Sequence, residues 1–131
     1  MALVYLLSFL SGIAALIYEV EWFQMLELVT GSTAQSIAMV LAGFMGGLCL
    51  GSLFVPSALS RLSARAVYAF AELGIAVLAF AMLAWGMRSE WAAVLLIAPA
   101  ILMGATLPAL ASTGARVAWL YAANVLGAVV G

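Results

Sequence analysis

Apolar residues run along this chain in long blocks, not in alternation. Five blocks stand out, at 2–29, 34–55, 66–87, 91–112 and 117–131, separated by short polar or glycine-containing stretches. Four of them reach the roughly 20 residues that a helix needs to cross the hydrocarbon core of a bilayer. In hydrocarbon, backbone groups must be satisfied within the segment or in a closed barrel, and barrel strands alternate over about ten residues. No such alternation is present, so each block predicts a helix. The pattern predicts an all-α fold, a polytopic transmembrane helix bundle forming one domain over 1–131, with four full spans and a truncated or partial fifth. At 1.5 Å per residue the fifth block gives about 22 Å of helix against a core of about 30 Å. With no polar stop after it, this block reads as part of a longer chain, or as a helix that ends inside a complex.

The punctuation refines these elements. Gly31, Ser32 and Thr33 form the first turn, and Pro56 marks the expected end of the second helix, before the connector "PSALSRLSAR". "RSEW" and "STGAR" supply the next two turns. Pro99 and Pro108 fall inside the fourth block and predict a bend, with a carbonyl near Gly104 left without its usual donor. The start of the chain lacks a basic region and a small-residue cleavage site followed by polar sequence, which argues against a secretory signal.

Composition narrows the class. The chain is 69% hydrophobic and 7% charged, with a mean hydropathy of +1.30. Soluble domains carry roughly 25% charged residues, and a domain of this size folded in water cannot hide so much apolar surface. The expected solvent is the lipid bilayer. A net charge of -1 supplies no basic patch for nucleic acid. With no His and only Cys49, there is no intrachain disulfide and no donor set for zinc, haem or an iron–sulfur cluster, so neither metal nor cofactor is expected. No phosphate-binding glycine loop and no nucleophile triad is present, so no catalytic residue is assigned.

Charge placement orients the bundle. Arg61, Arg65 and Arg116 fall in connectors on one side, and Arg88 lies on the other with Glu90. The positive-inside rule then predicts that the N-terminus lies in the cytoplasm.

The acids are the first candidates for chemistry. Glu19, Glu21 and Glu27 crowd the end of the first block with no cation nearby in sequence. Glu19 lies roughly 24 Å along the first helix, still within the membrane, and Glu72 about 10 Å into the third. A charge at a helix centre costs about 3 kcal/mol on insertion scales, so both carboxyls must face a partner or a cavity, be protonated, or snorkel to the interface. They act either as interhelical glue or as a proton- or cation-coupled site. By depth alone, Glu72 pairs with Tyr121 and Asn124 of the fifth helix.

Small residues and aromatics complete the set. Gly43, Gly47 and Gly51 recur every four residues, and Gly127 follows Ala123 in the same spacing. Such stripes let helix backbones approach closely, because packing drives association in lipid. They read as helix-packing surfaces, with a sliding surface in a transporter as the alternative. Trp22, Trp85, Trp91 and Trp119 fall near segment ends and read as an interfacial belt.

Taken in order, "FLSGIAALIYEVEWFQML", "GST", "MVLAGFMGGLCLGS", "YAFAELGIAV", "MGATLPAL" and "LYAANVLGAVVG" resemble the membrane module of spermidine-synthase-like bacterial membrane proteins. The resemblance spans nearly the whole chain. Its most specific parts are Tyr18–Glu19 with Trp22, the glycine stripe, Glu72-Leu73-Gly74, and Leu120-Tyr121 with Asn124 and Gly127. Gln24 stands where that pattern commonly has a basic residue, and Glu21 where an apolar one is usual. The resemblance implies a transporter-like multi-helix segment joined to a cytoplasmic aminopropyltransferase domain, of which nothing is found in these residues. The module alone is then not an enzyme, and catalysis would need such a domain after Gly131.

Three expectations follow. The chain is a membrane module that anchors, or provides a path for, a small polar or cationic molecule such as a polyamine. Alternatively it is a structural subunit packed into a larger membrane complex, or a small homo-oligomeric transporter. Its partners are then other transmembrane helices, from its own continuation, further copies or complex subunits.

Overall fold

A computed structural model describes residues 1–31, 34–85 and 96–131. These form five α-helices and, among the described residues, no strand: α1 (Ala2–Thr30), α2 (Ala34–Leu59), α3 (Ala64–Trp85), α4 (Ile97–Ala111) and α5 (Val117–Val130). Three of them contain stretches long and apolar enough to cross a membrane, of 24, 23 and 21 residues in α1, α2 and α3. The two remaining helices are apolar but shorter. The expectation of four full spans is therefore met by three among the described residues. The first part of the fourth block, 91–95, lies outside them, as do Ser32–Thr33 and the "RSEW" turn.

Pro56 does not end the second helix. α2 continues through it to Leu59. A proline removes one amide hydrogen and so leaves only the Ser52 carbonyl without its usual donor. In the last turn of a helix that loss is small, and Ser60 still donates to the Pro56 carbonyl at 3.2 Å. Pro99 is tolerated for a related reason, since it lies in the first turn of α4, where amide hydrogens have no intrahelical partner. Gly114, at φ 86, reverses the chain between α4 and α5 in a conformation that side chains other than glycine rarely adopt.

Two glycine-lined helix pairs build the bundle. In the first, α2 lies on α4: a Cβ at Gly51 would strike the Ile101 carbonyl, and one at Gly104 would strike the backbone of Leu48. Gly47 abuts Ala100 in the same seam. In the second, α1 lies on α5, with Gly12 against the Asn124 backbone and Gly127 against that of Phe9. α3 packs mainly on α4, which also touches α1 and α5 and so forms the hub. Small residues on both sides of a seam maximise backbone contact, which is the packing available to helices that gain nothing from hiding apolar surface from lipid.

Two apolar clusters sit towards opposite ends. One gathers Trp22, Val40, Phe44, Ile75, Met82, Leu96, Ala100 and Met103. The other gathers Leu110, Ala115 and Leu120, with Val4, Tyr5, Leu7 and Tyr68 packed around it. The outer surface is apolar: Phe70, Leu73, Val77 and Phe80 form one stripe on α3, each 59–75% exposed. In water this surface would be costly; in lipid it is the expected face.

Arg61, Arg65 and Arg116 share one end of the bundle. Met1, Arg65 and Thr113 line a common groove, and the Arg116 amide donates to the Tyr5 hydroxyl at 3.3 Å. Arg61 lies in the adjoining α2–α3 connector. Arg88 is outside the described residues.

Candidate functional site: a polar cavity among four helices

Between the two apolar clusters lies a cavity of about 340 Å³ walled by α1, α2, α4 and α5. Its polar lining is Ser11 and Glu19 from α1, Ser52 from α2, Thr106 from α4, and Tyr121 and Asn124 from α5. Helical spacing explains the α1 wall. Ser11, Ala15 and Glu19 are four residues apart and fall on one face, and Ser8 joins that face three residues earlier. Glu19 also borders a second cavity, of about 310 Å³, between α1 and α2.

The hydrogen bonds decide the character of the lining. A hydroxyl has one hydrogen to donate. Ser52 gives its hydrogen to the Cys49 carbonyl at 2.8 Å, and Thr106 to the Met103 carbonyl at 2.7 Å. Ser11 gives its hydrogen to the Glu72 carboxylate at 2.8 Å. Asn124 directs one amide hydrogen to the Ser8 carbonyl at 3.1 Å. Three of the hydroxyls therefore turn oxygen lone pairs, not hydrogens, towards the cavity. Among the described residues no side chain donates to the Glu19 carboxylate or neutralises it, and no Lys, Arg or His lines the space. The lining is rich in acceptors and contains one carboxyl group, that of Glu19.

Below the cavity a polar cross-brace ties α1 to its neighbours. Ser8 is fully buried and donates to the Leu120 carbonyl at 2.8 Å. Tyr68 places its hydroxyl 3.5 Å from the Leu7 carbonyl and beside the Glu72 carboxyl. The expected pairing of Glu72 with Asn124 and Tyr121 is not formed. Glu72 reaches Ser11 and Asn124 reaches Ser8, so α1 holds both. Depth along a helix fixes height in the membrane but not the direction in which a side chain points.

Next to Glu19 in sequence, aromatic residues join α1 to α2. Tyr18 stacks on Trp22 with centroids 5.6 Å apart and planes at 19°, and Trp22 meets Phe44 of α2 edge-on at 6.3 Å and 64°. Trp22 is 3% exposed, so it belongs to the core and not to an interfacial belt. Its distance from the helix end suits either role, and only its face separates them. Trp119 is 61% exposed, as a belt residue would be, whereas Trp91 and the Trp85 side chain lie outside what is described. Glu21 and Gln24 are exposed on the outer face of α1.

Of the residues singled out in the sequence, Glu19, Tyr121 and Asn124 line the cavity, Tyr18 and Trp22 back it, and Glu72 touches it through Ser11. Gly47, Gly51 and Gly127 sit in the helix seams; Gly43 is half-buried on α2. Sequence reasoning passed over Ser8, Ser11, Ser52 and Thr106. The first two carried a usable signal, because Ser8, Ser11 and Glu19 share one face of an otherwise apolar helix. Compared with family models, curated proteins and solved structures, the chain matches none.

Proposed function

We propose that this chain is a multi-pass integral membrane module, with its N-terminus on the cytoplasmic side of a bacterial inner membrane. Its four-helix cavity is a path or holding site for a small organic cation. The observation that carries this reading is the Glu19 carboxyl, with no donor or cation among the described residues, in a lining where Ser11, Ser52 and Thr106 direct their hydroxyl hydrogens elsewhere. An intramembrane carboxylate costs about 3 kcal/mol on insertion scales, so a site that holds one with no cation among the described residues favours a cation from outside the chain. The cavity is of the size that small-molecule sites commonly have, roughly 300–1,000 Å³. The resemblance to the membrane module of spermidine-synthase-like proteins supports the same direction, since polyamines are organic cations. The chain supplies no catalytic group of its own in this reading.

A second reading has its own support. Glu21 and Gln24 expose polar groups on the outer face of α1, which favours a neighbouring helix from a larger complex over that stretch.

Exchange in proteoliposomes tests the first reading. Labelled tetramethylammonium, which keeps its charge at every pH, should exchange across vesicles holding the protein faster than across empty ones. Glu19→Gln, folded by circular dichroism and gel filtration, should lose that exchange. Exchange no faster than in empty vesicles would reject the cation path.

A further inference from the structure

We propose that the groove at the arginine-bearing end of the bundle binds one anionic phospholipid, with the phosphodiester on Arg65 and an acyl chain entering the groove. The site is separate from the four-helix cavity and does not depend on what that cavity carries.

The groove, of about 540 Å³, lies between the start of α1, the start of α3 and the end of α4. Its polarity is graded along the bundle. Arg65, in the first turn of α3, and Thr113, in the turn after α4, stand at its mouth, while Val4, Leu7 and Leu110 form its inner wall. From Met1 to Leu7 it follows α1 for about 9 Å at 1.5 Å per residue. It therefore takes the part of an acyl chain nearest the glycerol, and the remainder runs on into the bilayer.

The polar groups of the groove leave one cation on offer. Thr113 gives its hydroxyl hydrogen to the Leu110 carbonyl at 2.7 Å, and Tyr68 directs its own to the Leu7 carbonyl at 3.5 Å. Arg65 is exposed and meets no acid and no acceptor among the described residues. Its guanidinium presents N–H donors in a planar fork that matches two phosphate oxygens. Its position adds to the demand for an anion. The N-terminal end of a helix is the positive end of its dipole, where an arginine is unfavourable, and no acid stands in the first turn of α3. Ser63 accepts the Ala66 amide on its hydroxyl at 3.3 Å and the Val67 amide on its carbonyl at 3.0 Å, whereas the Ala64 and Arg65 amides meet no acceptor among the described residues. One phosphodiester answers the guanidinium and the helix end together.

The same features choose the occupant. Free phosphate would use Arg65 and leave the apolar wall empty. A zwitterionic lipid would fill the wall but bring its own cation to Arg65. An anionic phospholipid satisfies both. Arg61 and Arg116 share this end, which the positive-inside rule places in the cytoplasm, and anionic lipids give the cytoplasmic leaflet its negative surface potential.

Native mass spectrometry of the full chain, released from detergent after incubation with equal amounts of dioleoylphosphatidylglycerol and dioleoylphosphatidylcholine, tests this. The wild type should retain one phosphatidylglycerol in preference to phosphatidylcholine. Arg65→Gln should weaken phosphatidylglycerol binding about tenfold, as loss of a charge-assisted contact does, and leave phosphatidylcholine unchanged. Arg61→Gln removes the same charge from the same end, but Arg61 does not line the groove; it should change binding by less than about twofold, because salt screens an exposed charge that makes no direct contact. Leu3→Trp, at a groove position that is 65% exposed and so outside the core, should also weaken retention by filling the groove. Excess inorganic phosphate should not displace the lipid. Equal retention of the two lipids by the wild type, equal losses in Arg65→Gln and Arg61→Gln, undiminished retention in Leu3→Trp, displacement by phosphate, or a lipid-free dimer in place of the lipid adduct would overturn the proposal.

Discussion

A single methyl group at Gly51 should force α2 away from α4. The added carbon would land on the Ile101 carbonyl and press on the Ala105 amide, both backbone atoms that no rotamer change can move. Apolar contact needs about 3.5–4.0 Å between heavy atoms, so the helices must part by on the order of 1.5 Å along the seam. Overpacking of this kind costs about 1–3 kcal/mol. Gly46 supplies the internal control, because nothing lies within 4 Å of a carbon added there. Alanine at such a site gains about 0.4–1 kcal/mol from the reduced freedom of the unfolded chain. Gly51→Ala and Gly46→Ala should therefore differ by about 1.5–4 kcal/mol, with opposite signs relative to wild type. Unfolding in mixed micelles titrated with sodium dodecyl sulfate, followed by tryptophan fluorescence, resolves a difference of that size. Equal stability of the two variants would mean that Gly51 faces lipid and that the α2–α4 seam is misplaced.

Three further outcomes are expected. In a Cys49→Ala background, a cysteine at Ser63 should be labelled by a membrane-impermeant thiol reagent only in opened cells, and one at Ser89 in intact cells; the reverse would invert the topology. Trp22→Ala should cost about 3–5 kcal/mol in the same unfolding titration, since it empties the site between Tyr18 and Phe44, and a loss below about 1 kcal/mol would place Trp22 at the interface instead. Ser8→Ala should cost about 0.5–1.5 kcal/mol through its lost bond to the Leu120 carbonyl, and a neutral result would mean that α1 and α5 do not meet at that level.

The helices were legible because length and apolar continuity in a membrane leave few other solutions. Their faces were less so. Gly47 and Gly51 advertise a close approach, but the stripe does not say which helix fills it, and α4 does so through Ala100, Ile101 and Gly104. Pro56 misleads as a stop signal because the cost of a proline depends on how many turns follow it, and here almost none do. Trp22 misleads because the end of a span and the end of a core lie at the same depth. The cavity was only half visible. Glu19 and Asn124 stand out as polar residues in apolar blocks, whereas Ser52 and Thr106 satisfy their hydrogens within their own helices and look inert until the bundle places them opposite a carboxylate. Ser11 also holds Glu72, a partner 61 residues away that no local pattern names.

The central claim is that Glu19 holds a cation inside the bundle. Equilibrium binding of labelled tetramethylammonium to the purified protein in detergent measures this without any need for transport. The wild type should bind saturably, and Glu19→Gln, which keeps the shape and one carbonyl oxygen of the side chain but not the charge, should bind at least about tenfold more weakly, a difference of about 1.4 kcal/mol. Saturable binding of equal strength in a folded Glu19→Gln protein would contradict the account.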